Sequence, residues 1–193
     1  MYELIFANFA MHITLSMEEI EEIKLKLEYK IVKKNELLLK SGEVCRNFYF
    51  VNQGCLRIFN TDEKGEEHNL LFLPENWWAV DMTSFSEQKP AFYTISSLEK
   101  TELFYLNYNV LEELYQTVPK LERFFRIMIQ NGFSLYQQRI ISNLSMPAEE
   151  RYQLFQNQYP KLEQRIAQKH IASYLGITPV FLSMMRKKYQ RAR

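Results

Sequence analysis

Residues 168–188 read "QKHIASYLGITPVFLSMMRKK", and the side chains spaced along them suit one kind of chemistry, the recognition of a polyanion. Ala172 is followed four positions later by Gly176 and then by Leu182 and Met185, with Ile171, Leu175 and Ile177 apolar around them. That is the spacing of a helix-turn-helix. Two short helices that cross steeply need a small side chain where their backbones approach and a glycine where the turn takes a positive φ. Thr178 is placed to cap the second helix, and Pro179 to occupy its first turn, where a fixed φ and a missing N–H cost nothing. Gln168, Lys169, Thr178, Pro179, Val180, Ser183, Met184, Arg186, Lys187 and Lys188 are then the residues able to approach DNA. His170 is expected on the surface or facing a phosphate. A helical hairpin that only packs would share much of this pattern, so the charge of its surroundings decides between the two.

From Ser145 onward nine Lys and Arg stand against three Glu, a net +6, while the rest of the chain carries 15 basic and 20 acidic residues, a net −5. A total of +1 therefore conceals a basic module on an acidic body, the electrostatic footprint of phosphate-backbone binding. Catalysis finds no comparable support. His12, His68 and His170 fall in three different elements, and neither Gly-x-Ser-x-Gly nor His-Glu-x-x-His occurs, so the chain is not read as an enzyme. Cys45 and Cys55 are too few for a disulfide framework or an iron-sulfur cluster and read as buried free thiols. No metal or cofactor is expected.

The module must be carried by something. At 193 residues, 47% of them hydrophobic, the chain can bury one large or two small cores. It has no apolar run long enough for a bilayer and no basic start of a signal peptide, so a soluble cytoplasmic protein without a membrane partner is expected. Ser16 and Glu19 form a capping box before Ile20, Ile23 and Leu27, which opens the fold with one amphipathic helix. From Tyr29 to Leu106 short β-rich runs alternate with turns, with Gly54 and Gly65 where a positive φ is wanted, as in a barrel or jelly roll. "NYNVLEELYQTVPKL" is a short helix ending near Pro119. After it Leu121, Phe124, Phe125, Met128 and Leu135 recur at close to 3.5 residues, which predicts a helix of about 25 residues, near 37 Å. Its apolar stripe suits either a second copy of the chain or its own barrel, and Gly132 in its middle costs about 1 kcal/mol relative to Ala unless a close contact uses it. A further helix is expected from Ser145 as cap, through Pro147, to just before Pro160.

Helix, β-barrel, long helix and helix-turn-helix, in that order, resemble the Crp/Fnr family of bacterial transcription regulators. "FYFVNQGCLRIF", "AEERYQLFQNQYPKL" and the stretch quoted first carry the resemblance. It implies an α+β fold: a cyclic-nucleotide-binding-like jelly roll over 1–118, a dimerisation helix over 119–144, and a helix-turn-helix of the winged-helix kind over 145–193. With the sequence stopping at Arg193, the wing is expected to be short or absent. The partners implied are double-stranded DNA, a second copy of the chain through Leu121, Phe124, Phe125, Met128, Gly132 and Leu135, a small-molecule effector of unknown identity, and RNA polymerase.

Two departures from the family pattern matter. Nucleotide-binding members carry a Gly-Glu pair and then an Arg around the cyclic phosphate, whereas this chain reads "PENWWAVDMTSFSEQKPAFYTI", with no glycine between Gly65 and Gly132 and no arginine between Arg57 and Arg123. Each charge-assisted hydrogen bond lost in this way is worth roughly 1.5–3 kcal/mol, so cyclic AMP is not expected to bind. Trp77, Trp78, Phe85, Phe92 and Tyr93 could line an apolar pocket with Asp81 and Ser84 as polar handles, or simply fill an aromatic core. In the second helix of the motif, Val180 and Met184 stand where family members commonly present Glu and Arg to base edges. Bidentate reading of guanine is lost there, and contact from Val180 to thymine methyl groups remains. The competing reading is a ligand-binding or interaction module with a degenerate helix-turn-helix.

Overall fold

The computed structural model describes residues 1–191, with side chains through Lys188. The chain forms two compact units, Met1–Ile58 with Phe72–Ser134, and Phe59–Leu71 with Leu135–Arg193.

The N-terminal unit begins with two helices, α1 (Glu3–Ala10) and α2 (Met17–Lys26). The second was legible: Ser16 Oγ accepts from Glu19 N at 3.2 Å while Glu19 Oε2 accepts from Ser16 N at 2.7 Å. The first was not, since Tyr2 precedes it without a side-chain cap, and it is held by burying Ile5 and Phe9. Eight strands follow: β1 (Glu28–Val32), β2 (Leu37–Leu39), β3 (Asn47–Gln53), β4 (Leu56–Thr61), β5 (Glu67–Leu73), β6 (Trp78–Ala79), β7 (Thr94–Ser97) and β8 (Thr101–Asn107). They pair in two sheets, in the orders β1-β8-β3-β6 and β2-β7-β4-β5, the β sandwich of the jelly-roll type that the spacing of turns suggested. The first sheet is antiparallel throughout, with Glu28 opposite Tyr105 and Asn47 opposite Asn107. The outer parts of β4 and β5, residues 59–71, cluster with the C-terminal unit.

Gly54 turns β3 into β4 at φ +100°. A Cβ there would lie 2.8 Å from both the Lys100 carbonyl oxygen and Thr101 Cα, so the position excludes side chains on steric grounds as well as conformational ones. The sequence reading missed α3 (Met82–Glu87), which interrupts the strands after Asp81.

The core of this unit is aromatic. Trp78 has its ring 5.0–6.0 Å from those of Phe9, Phe48, Phe50, Phe124 and Phe125, and its indole N–H donates to Asn8 Oδ1 at 2.8 Å. The pairs with Phe48, Phe124 and Phe125 are edge-on, and such pairs add about 0.5–1.5 kcal/mol each beyond burial.

After α4 (Tyr108–Thr117), α5 runs from Lys120 to Ser145, 26 residues, close to the expected length. Leu121, Phe124 and Phe125 are 0–2% exposed, which corrects their assignment to a stripe facing a second copy. They belong to the aromatic core of their own unit. Met128, Gly132 and Leu135 are partly exposed, and among the described residues, the neighbouring backbone of its own helix aside, nothing lies within 4 Å of a Cβ built on Gly132. The exposed apolar residues of α5 are instead Phe133, Ile140, Ile141 and Leu144, at 58–83%. Phe133, Ile140 and Leu144, separated by seven and four residues, share one side of the helix.

The C-terminal unit continues with α6 (Ala148–Gln158), a 3-10 turn (Leu162–Gln164), α7 (Gln168–Leu175) and α8 (Pro179–Arg191). Ser145 does not cap α6, as the sequence suggested. It ends α5, its hydroxyl donating to the Ile141 carbonyl at 2.7 Å, and Pro147 precedes α6 without a side-chain cap. Tyr152, Phe155, Tyr159 and Tyr174 form a second aromatic cluster, with Phe155 to Tyr174 at 5.6 Å and Tyr159 to Tyr174 at 5.8 Å. Burial, together with donation to Glu163 at 2.7 Å, pushes the Tyr152 hydroxyl up to about 12, so it stays a donor at any physiological pH.

Candidate nucleic-acid interface

The turn between α7 and α8 sets everything that α8 presents. Gly176 ends α7 in the left-handed region at φ +65°, its N–H donating to the Ser173 carbonyl, while Ile177 N–H donates to the Ala172 carbonyl at 3.0 Å. Ala172 is 1% exposed, as a close approach requires. Thr178 Oγ1 then accepts from Phe181 N at 3.2 Å, and Pro179 opens the helix. Leu182 and Met185, three residues apart, are buried on a helix that packs against α7, fixing the roll of α8 about its axis.

With that side fixed, the opposite side follows from helical periodicity. Val180 is 71% exposed, Met184 57% and Phe181 37%, and Lys187 and Lys188 continue the same exposed face one turn on. Ser183 and Arg186 are partly exposed at its border, and Gln168 and Lys169 are exposed at the start of α7. The ten residues selected from the sequence thus lie around one helix-turn-helix, with Thr178 and Pro179 committed to its capping. Phe181 was missed. Its position, one residue after Val180 and three before Met184, was signal enough.

Not every basic residue is available to a partner. Arg151 donates to the Met146 carbonyl at 2.8 Å and the Leu175 carbonyl at 3.0 Å, closing the ends of α5 and α7. Arg139 donates to the Asn69 and Tyr174 carbonyls at 3.0 and 2.7 Å and lies over the Tyr174 ring at 3.4 Å. Both are structural cations. His170 is also corrected: it is 8% exposed and packs inside the unit rather than facing solvent or phosphate.

The β4–β5 hairpin is tied to α7 within the same unit. Ser173 Oγ donates to the Glu67 carbonyl at 2.7 Å and accepts from Asn69 N at 2.9 Å, and Asn69, 2% exposed, donates to the His170 carbonyl at 3.4 Å. At the hairpin's turn Asp62, Glu66 and His68 place ligand-capable atoms within 4.8 Å of one another. Asp62 is occupied in bracing the turn, accepting from Lys64 N and Glu66 N at 2.9 Å and lying 3.0 Å from His68 Nε2.

The candidate effector pocket does not assemble. Trp78 and Phe85 are core residues, Phe92 is 65% exposed, and Trp77 and Tyr93 are half-buried. Asp81 and Ser84, each 1% exposed, are not free handles. The Asp81 carboxylate accepts from Ser84 N, Phe92 N and Tyr93 N at 3.0–3.2 Å, and the Ser84 hydroxyl accepts from Cys45 N at 2.8 Å and donates to the Lys89 carbonyl. Both hold the 89–93 loop to α3. A cavity of about 150 Å³ is lined among others by Leu38, Cys45, Asn47 and Tyr49. Cys45 and Cys55 are buried and in no disulfide, and burial pushes the Cys45 thiol up, which disfavours its thiolate.

Residues 29–118 match the cyclic nucleotide-binding domain family. The chain is 25% identical over 195 residues to the fumarate and nitrate reduction regulatory protein of Vibrio cholerae, covering 93% of this chain and 76% of that protein. It is 26% identical to the anaerobic regulatory protein of Aggregatibacter actinomycetemcomitans, over 92% and 73% of the two chains. In fold it is similar to FixK2 of Bradyrhizobium japonicum, with a TM-score of 0.77 at 14% identity over 86% of this chain and 85% of that one. The c-di-GMP-responsive global regulator CLP of Xanthomonas campestris gives a TM-score of 0.73 at 16% identity over 92% and 93%.

Proposed function

We propose, for a chain that belongs to the Crp/Fnr family of transcription regulators, that it acts as a homodimer, inserts α8 into the major groove of double-stranded DNA, and does not use cyclic AMP as its effector. The carrying observation is the outer face of α8, where exposed Val180, Phe181 and Met184 are followed by exposed Lys187 and Lys188 on a helix whose roll is fixed by buried Leu182 and Met185. Apolar groups at the entering end and cations at the trailing end divide base contact from phosphate contact. The sensor is assigned to 1–118, the dimerisation helix to 119–144 and the DNA module to 145–193, with hairpin residues 59–71 joining the DNA module through Ser173. The dimer face is placed on Phe133, Ile140, Ile141 and Leu144 of α5. RNA polymerase is the further partner of such a regulator, and the cytoplasm its place of action. Among the described residues no helix is long and apolar enough to cross a membrane.

Selection of bound fragments from genomic DNA tests this reading. Recovered fragments are expected to share two related half-sites about 34 Å apart, one helical turn. Recovery no better than that of random fragments would support the interaction-module reading instead.

Residues 74–95 hold no glycine and no arginine for a cyclic phosphate, and Asp81 and Ser84 are already engaged. Calorimetric titration of the full chain should give no saturable heat up to millimolar nucleotide. Micromolar binding would mean that backbone amides or Lys89 replace the missing groups.

A further inference from the structure

We infer that α8 recognises the C5-methyl group of pyrimidines in the major groove, thymine first and 5-methylcytosine wherever it is placed at the same positions, through Val180, Phe181 and Met184. The inference rests on the placement of α8 in the groove and goes further, naming the chemical group that is read.

The first two turns of the helix present nothing able to form a bidentate hydrogen bond to a base. Between Pro179 and Met185 there is no Arg, Lys, Asn, Gln, Asp or Glu. Thr178 Oγ1 already accepts the Phe181 amide, and Ser183 is turned toward the border of the face. What the helix does present is apolar: Val180 at 71%, Met184 at 57% and Phe181 at 37% exposure, at positions one, three and four residues apart that share one side of a helix. The major-groove edge of a base pair carries one apolar group, the methyl at C5 of thymine, which 5-methylcytosine duplicates. Charge supports the same occupant. Lys187 and Lys188 follow on the same face, and Lys169 is exposed at the start of α7, so a polyanion is drawn to the surface that bears the three apolar side chains. A protein partner with an apolar surface alone would leave these cations unanswered.

Removing one methyl from a well-packed contact should weaken binding by about 3- to 5-fold, the value of roughly one buried methylene. The test uses the full chain and the genomic duplex it selects most strongly, alongside copies in which single thymines of each half-site are replaced by deoxyuridine, which preserves pairing and charge. One or more positions per half-site should show the loss, and replacing cytosine by 5-methylcytosine at a neighbouring selected position should raise affinity in at least one case. For Val180→Ser and Met184→Ser, exposed changes that leave the buried side of α8 intact, the thymine and deoxyuridine duplexes should bind equally. If the parent binds its selected duplex but treats thymine and deoxyuridine alike, methyl recognition is wrong while DNA binding stands. A deoxyuridine loss that persists unchanged in both variants would assign it to DNA shape and overturn the inference as well. If no duplex is selected at all, the inference falls together with the reading beneath it.

Discussion

Replacing Ile140 and Leu144 together by Glu is expected to convert the protein to a monomer and to lower its affinity for a two-half-site duplex by about 100-fold or more, since the second half-site then no longer benefits from effective concentration. Both side chains are more than half exposed in the single chain, so neither change opens a cavity in the protomer. Placed against a second α5, the same positions would bring two Glu from each copy into an apolar seam, and burying an unpaired carboxylate costs several kcal/mol. Light scattering gives the mass, and thermal unfolding shows whether the protomer survives. A persistent dimer with an unchanged midpoint would move the seam away from this side of α5. The contrasting double change, Leu121 and Phe124 to Glu, is expected to unfold the N-terminal unit rather than to dissociate it, because those side chains are 0–1% exposed inside the aromatic core.

That contrast also shows where sequence reasoning stops. A repeat near 3.5 residues located the helix and its length within one residue, but an apolar stripe says only that something is buried. In α5 two stripes coexist. Leu121, Phe124 and Phe125 serve the protomer, and Phe133, Ile140 and Leu144 are left outside, which becomes visible only when Trp78, Phe9 and Phe48 are seen to meet the first set. The helix-turn-helix was legible almost to the residue because its constraints are local: Gly176 for the left-handed turn, Thr178 and Pro179 for the start of α8, and Leu182 and Met185 for its buried side. The effector pocket failed for the opposite reason. Trp77, Trp78, Phe85, Phe92 and Tyr93 are near one another in sequence, yet Trp78 and Phe85 both pack on Phe48 in the core while Phe92 is left exposed. Helix α1 carried no capping signal, and α3 is a six-residue insertion with one cap, Asp81. Charge counting overstated the basic surface because Arg151, one of the nine cations counted from Ser145 onward, spends its guanidinium group on backbone carbonyls, a long-range use that composition does not reveal.

Lys187 and Lys188 carry the second large expectation. Both are exposed on the last described turns of α8, beyond the apolar residues that would meet bases, so the proposed docking assigns them to the phosphates. Contacts of that kind add to affinity without regard to sequence, and each releases condensed counterions, which lowers log K by about 0.9 per phosphate for each tenfold rise in salt. Losing both by substitution with Ala should weaken binding to all duplexes alike and make the salt dependence shallower by about two units. Val180→Ser or Met184→Ser should change which duplex is preferred and leave the slope nearly as it was. The direct measurement is therefore the affinity of the full chain for its selected genomic duplex between about 50 and 200 mM salt, repeated with Lys187 and Lys188 both changed to Ala. The account predicts a steep linear fall of log K with log salt in the parent, and a fall shallower by about two in the variant. Weak binding with little salt dependence, or a slope identical in the two proteins, would contradict the claim that α8 is the surface by which this regulator holds DNA.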